Sequence, residues 1–252
     1  MKKIKYCLIL GILLIILSGC YSVPITGRST FIAISQADEE TLGLQAFDEQ
    51  KQASKLASPE LQAKISKIGK DLASVTDQKD WNWQFVVFDD PTVNAWCLPG
   101  GKVAVYTGIL PYFKNDNELA AVLAHEIAHA IARHGASRMT QNIFMETGAA
   151  ILGMSTKNSE ALALAYGVST ELLVALPYSR ENEYEADYIG IILMAKAGYN
   201  PQAALDFWQR FATSSAASST PEFFSTHPSD ANRVAHLKGK MPEALSIYNK
   251  KR

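Results

Sequence analysis

His125-Glu126-Ile127-Ala128-His129 sets two imidazoles four residues apart with a carboxylate between them. On a helix, residues four apart differ by about 40° in direction, so both rings can reach one metal ion, and zinc suits this donor set. Glu126 points about 100° away from His125, beside the metal and not onto it, where a carboxylate can take a proton from water at the metal. The metal lowers the pKa of that water toward about 7, so a hydroxide-like nucleophile becomes available at neutral pH. Ala121 to Ala130 carries no charge except Glu126. A buried helix segment does not tolerate a carboxylate and two imidazoles without partners, which argues for a metal over an accident of composition.

Catalytic zinc takes a third protein ligand and keeps an open position for water. Arg180-Glu181-Asn182-Glu183-Tyr184-Glu185-Ala186-Asp187 supplies several acids. Glu183 and Asp187, four apart, share a helix face, so one can bind the metal while the other orients a ligating imidazole. Glu185 is turned away from that face. Spacing alone leaves the choice between Glu183 and Asp187 open.

These residues need helices and a small sheet to hold them. The spacing of Leu42, Leu44, Phe47, Leu61, Ile65, Ile68 and Leu72 predicts two helices between Asp38 and Val75, broken near Ser58-Pro59. Trp83, Phe85 and Val87 alternate as in a strand, and Val93 to Leu98 and Lys102 to Thr107 flank the turn Pro99-Gly100-Gly101 as a β-hairpin. Asn115 is placed to cap the next helix with Glu118 as a variant capping box, and an apolar stripe from Leu119 to Ile131 runs to an expected stop at Gly135. Two apolar helical stretches follow, about Ser137 to Met154 and Ser159 to Leu176. Charges at Lys157, Glu160, Glu171 and Arg180 interrupt them below a membrane-spanning length. A helix from about Glu181 to Ala197 ends at Gly198, Pro201 opens another, Thr213 to Thr220 reads as a mobile loop, and a last helix begins near Ser229.

The N-terminus reads as an address. Lys2, Lys3 and Lys5 precede an apolar run from Cys7 to Leu17, too short to span a bilayer comfortably, and Leu17-Ser18-Gly19-Cys20 resembles a lipobox. Residues 1–19 are expected to be a lipoprotein signal peptide, 20–37 a lipidated N-terminus and linker, and 38–252 one catalytic domain. Tyr21 in place of aspartate resembles the pattern of outer-membrane sorting, facing the periplasm. With Cys7 in the signal and Cys20 lipidated, Cys97 is left without a disulfide partner. The 252 residues, 48% hydrophobic, suit a single core, and 24 Lys and Arg against 25 Asp and Glu give no electrostatic case for nucleic acid.

With these motifs in view, the chain resembles the gluzincin metallopeptidases related to HtpX, BepA and the CAAX prenyl proteases across most of its mature length. Pro24-Ile25-Thr26-Gly27-Arg28 resembles a stretch common at the start of lipoprotein members. Asn94-Ala95 with Pro99-Gly100-Gly101 and Thr107-Gly108 resembles the family's edge hairpin, and Leu123 to His129 its zinc helix. Glu183-Tyr184-Glu185-Ala186-Asp187 matches its ExxAD element, which implies Glu183 as third ligand and Asp187 as support for a histidine. Ser225-Thr226-His227-Pro228, followed by Arg233, resembles the late His-Pro segment, which implies that His227 lies at the active site, on the zinc or facing the reacting carbonyl; with the ring swung out, His227 or Arg233 is expected to donate a hydrogen bond to the developing oxyanion. The resemblance implies a zincin-like α+β fold, mostly helical, one zinc ion, and an endopeptidase. Its edge hairpin at Asn94 and Ala95 would receive a substrate strand by backbone hydrogen bonding. The short, single-domain lipoprotein members are implied to act on unfolded or misfolded envelope proteins in quality control. The main rival is a zinc-retaining, chaperone-like binding lipoprotein whose apolar Ser137 to Leu176 region holds unfolded chains; a zinc hydrolase of non-peptide substrates is a third possibility.

Overall fold

The computed structural model describes residues 20–151, 179–214, 222–227 and 231–251. The expected signal peptide, the Ser159 to Leu176 stretch, most of the Thr213 to Thr220 run and the Pro228 turn lie outside the described residues. The chain forms an antiparallel ribbon of β1 (Cys20–Ser22) and β2 (Ser29–Phe31), then α1 (Gln36–Ala53) and α2 (Pro59–Ala73). A second sheet follows from β3 (Gln84–Phe88), β4 (Ala95–Leu98) and β5 (Lys102–Tyr106). Helices α3 (Asp116–Ile131), α4 (His134–Ile151), α5 (Arg180–Ala197), α6 (Gln202–Ser214), the short α7 (Glu222–Thr226) and α8 (Ala231–Lys251) complete it. Among the described residues no helix is long and apolar enough to cross a membrane.

The expected break between the first two helices is real: the Ser58 hydroxyl accepts from Leu61 N–H and Pro59 opens α2, where a missing N–H costs nothing. The expected hairpin is also present. β4 and β5 pair antiparallel, with Gly100 and Gly101 at φ +73° and +75°, a conformation that favours glycine. Alternation does not show strand order, and β3 pairs parallel to β5, which makes β5 central and β4 an edge.

Three expectations require correction. The stretch read as a linker begins with the β1–β2 ribbon, whose turn buries Val23, so it is part of the folded body. Glu118 does not close a reciprocal box on the cap residue. Asn115 Oδ1 accepts from the N–H groups of Asn117 and Glu118, while the Glu118 carboxylate reaches one residue further back to Lys114 N–H and pairs with Arg210. Gly135 does not stop the zinc helix. Ile131 ends α3, Arg133 takes the left-handed conformation at φ 54°, and Gly135 lies inside α4. An arginine there costs on the order of 1 kcal/mol, offset by a 2.7 Å ion pair from its Nε to Glu39 and a 3.0 Å bond to Ile34 O.

Helix α3 is the centre of the molecule. Every residue from Glu118 to Ile131 is buried, because α2, α5, α6 and β4 surround it. Leu123 and Ile127 are fully buried, each contributing about 1.5–3 kcal/mol, and the intervening alanines let the neighbours approach. The closest partner helix is α5, where Gly190 faces the His125 backbone: a Cβ there would lie 3.3 Å from His125 N. That contact fixes the distance between the two helices that carry the chemistry.

Candidate metal centre

Four side chains from three elements converge at the α3–α5 contact. His125 and His129 come from α3, Glu183 from the first turn of α5, and His227 from the residue after α7; their ligand atoms all lie within 4.8 Å of one another, and all four residues are buried. His129 Nε2 lies 3.0 Å from His125 Nε2 and 3.2 Å from Glu183 Oε1. His227 Nδ1 lies 3.2 Å from both His125 Nε2 and Glu183 Oε1. A backbone bond from His227 N–H to Phe223 O closes the turn, and Phe223 N–H ties α7 to Val93 O, beside β4.

The donor chemistry fits a zinc ion. Burial holds His129 well below its usual pKa, so its ring is neutral and its lone pair is available. Burial would raise the Glu183 carboxyl, but Arg233, His227 and His129 outweigh it and keep the group ionised. Three imidazole nitrogens and a carboxylate oxygen crowded at about 3 Å have no mutual reason to be buried together unless a cation joins them.

Around this cluster, Asp187 Oδ1 lies 3.0 Å from His125 Nδ1, the ring atom opposite the cluster. Arg233 is fully buried. Its Nε and Nη2 donate to Asp187 at 2.6 and 2.8 Å, its Nη1 lies 2.6 Å from Glu183 Oε2, and its guanidinium stacks 3.8 Å from the Trp208 ring centroid. The guanidinium is thus engaged in holding two carboxylates. Glu126 Oε1 is buried without a hydrogen-bond partner and lies 3.5 Å from His227 Nε2. Burial pushes its carboxyl up to about 7, with His227 and Arg233 pulling against the rise and Glu183 adding to it. A carboxyl poised near neutrality next to a metal cluster has the property a proton carrier needs.

Asn94 and Ala95 stand at the start of the edge strand. Asn94 is buried and its Oδ1 accepts from Ala95 N–H at 2.8 Å, while its carbonyl accepts from Tyr106 N–H. Ala95 to Leu98 are each no more than 8% exposed, so the edge is narrow here and a substrate strand would have to part it from its cover.

The sequence of the region matches a known family. Residues 59–241 fit the model described as Peptidase family M48. The chain belongs to peptidase family M48. Similar proteins include mitochondrial metalloendopeptidase OMA1 of Schizosaccharomyces pombe, 40% identical over 185 residues that cover 71% of this chain and 53% of that protein. The human protein named metalloendopeptidase OMA1, mitochondrial, is 33% identical, covering 89% of this chain and 46% of its own. The β-barrel assembly-enhancing protease of Yersinia pestis is 31% identical, covering 86% and 47%. The chain thus spans about half the length of these relatives. M48 metallopeptidases use zinc and share a zincin-like α+β fold, and the arrangement of this M48 chain is mostly helical with small sheets.

Sequence reasoning missed three contributors. His134 lies 2.8 Å, Nδ1 to Nδ1, from His129 and, through Nε2, 2.9 Å from Glu185 Oε2. Glu185 is indeed turned away from the metal face, but toward this second histidine. Burial opposes its ionisation, yet hydrogen bonds from His134, Arg28 and Thr26 bring it down to about 2. Trp208, the platform under Arg233, has no chemical signature in the sequence at all. His134, five residues after His129, was in plain view, but an unbroken helix to Gly135 would have pointed it elsewhere.

Proposed function

We propose that this chain is a zinc-dependent endopeptidase, a reading carried by the convergence of His125, His129, Glu183 and His227 beside the buried carboxylate of Glu126. His125, His129 and Glu183 are its metal ligands. Zinc, when bound, supplies a Lewis acid that polarises the scissile carbonyl and acidifies water. Glu126 takes the proton from the attacking water and delivers it to the leaving amine, so no covalent intermediate with the protein is needed. Asp187 accepts the Nδ1 proton of His125 and leaves Nε2 for the metal. Digestion of casein and of an unfolded outer-membrane protein, with and without a chelator, tests the activity. Chelator-sensitive cleavage of both is expected; binding without cleavage would favour the chaperone-like alternative, and turnover of a non-peptide ester alone would assign another hydrolase.

His227 closes the site. Its Nδ1 stands among the ligand atoms and its Nε2 faces Glu126, which supports a ring that competes with water for the open metal position. His227→Ala is therefore expected to raise kcat, by about tenfold if one molecule in ten is open in the wild type. A fall of ~10²–10³-fold would instead assign the ring to the oxyanion.

The substrates we propose are unfolded or misfolded proteins of a bacterial envelope, reached from a lipid anchor on Cys20 at the outer membrane. The lipobox-like Leu17 to Cys20 and the similarity to a β-barrel assembly-enhancing protease support this. Cys20 is exposed at the start of β1, where an acyl chain would not disturb the core. Mass spectrometry of the membrane-extracted protein should find diacylglyceryl on Cys20; an unmodified thiol would end the anchor assignment.

A further inference from the structure

The segment directly after Cys20 reaches the metal cluster through a continuous chain of hydrogen bonds. Arg28 donates from Nε and Nη2 to Glu185 Oε2 at 2.8 and 2.6 Å, and Thr26 Oγ1 donates to Glu185 Oε1 at 2.6 Å. Glu185 Oε2 lies 2.9 Å from His134 Nε2, and His134 Nδ1 lies 2.8 Å from His129 Nδ1. His134 is fully buried, and the Arg28 side chain is 40% exposed, so the chain runs from the surface to the site.

Only one ordering of protons satisfies this chain when His129 offers Nε2 to a metal. The His129 proton must then sit on Nδ1, and in a dry interior it needs an acceptor. His134 Nδ1 can accept only if its own proton is on Nε2, and that proton needs the Glu185 carboxylate. Glu185 in turn is aimed by Thr26 and Arg28. The same ribbon holds the end of the zinc helix directly: the Tyr21 hydroxyl donates to Ile131 O at 2.7 Å. The left-handed turn at Arg133 is what folds His134 back under His129.

We infer that the N-terminal ribbon is a positioning element of the zinc site, with Arg28 and Thr26 acting through Glu185 and His134 to fix the ring and tautomer of His129. The inference rests on the proposed assignment of His129 as a ligand. It gives the Pro24 to Arg28 stretch a task in metal binding beyond marking the start of the domain. Were the chain anchored at Cys20, the attached end would also be the end that sets the metal affinity.

Zinc affinity of the purified full chain, read by competition with a chromophoric chelator, tests it alongside kcat and KM. His134→Leu should weaken zinc by ~10–100-fold and Arg28→Met by roughly tenfold, each lowering kcat more than it raises KM. The double variant should lose no more than His134→Leu alone, since both act on one chain. His134→Asn, which keeps an acceptor for the His129 proton, should recover most of the affinity that His134→Leu loses. Wild-type zinc affinity in Arg28→Met, multiplicative losses in the double variant, or equal losses for His134→Asn and His134→Leu would each overturn the inference. His129→Ala separates this from the ligand assignment: retained zinc there would remove His129 from the ligand set, whereas lost zinc there with unaffected Arg28 and His134 variants would remove the ribbon alone.

Discussion

Glu126→Gln is expected to hold zinc at wild-type stoichiometry and to lose peptide hydrolysis by several powers of ten. The carboxylate is not among the four groups whose ligand atoms cluster, so the amide takes nothing from the metal. It does remove the proton carrier. A single general base is typically worth ~10²–10⁴, and the loss here should exceed that because the same oxygen would also orient the attacking water. Folding should survive: Glu126 Oε1 has no hydrogen-bond partner, and a neutral side chain of the same shape is cheaper to bury than a carboxyl with a pKa already pushed up to about 7. Zinc content by atomic absorption, set beside turnover of a quenched peptide, separates the two properties. Normal turnover from a preparation free of wild-type enzyme would take Glu126 out of the mechanism.

What the sequence makes legible depends on how local the cause is. His125, Glu126 and His129 are readable because a helix repeats every 3.6 residues and the spacing alone brings the rings together. The Ser58-Pro59 start, the Gly100-Gly101 turn and the Gly198 stop are readable for the same reason, since each is decided by one or two side chains acting on their own backbone. The end of α3 is not. Gly135 looks like the stop, but Glu39 and Ile34, nearly a hundred residues earlier, hold Arg133 in the left-handed conformation and place the turn two residues sooner. The contacts of Arg233 are hidden for a related reason. A late arginine near a histidine suggests an oxyanion donor, and only the fold shows its nitrogens engaged by carboxylates on α5. The Arg28 to Glu185 pairing spans 157 residues and leaves no periodic trace.

Glu183→Ala and Asp187→Ala are expected to separate zinc binding from stability, in opposite directions. Glu183 Oε1 lies 3.2 Å from both His129 Nε2 and His227 Nδ1, so Glu183→Ala removes a ligand and should nearly abolish zinc retention. Its cost to the metal-free fold is the smaller one, because Arg233 loses a single contact and keeps both hydrogen bonds to Asp187. Asp187 touches no other member of the cluster than His125, at Nδ1. Asp187→Ala should leave the ligand set in place and weaken zinc by roughly 10–100-fold, the usual effect of losing the group that orients a ligating imidazole. It also strips two hydrogen bonds from a fully buried guanidinium, and removing one partner of a buried ion pair costs about 3–5 kcal/mol. Urea unfolding of the metal-free proteins should therefore rank Asp187→Ala as the less stable, while zinc titration ranks Glu183→Ala as the weaker binder. The opposite order in zinc stoichiometry would exchange the two roles, making Asp187 the ligand and Glu183 the group that holds Arg233 in place.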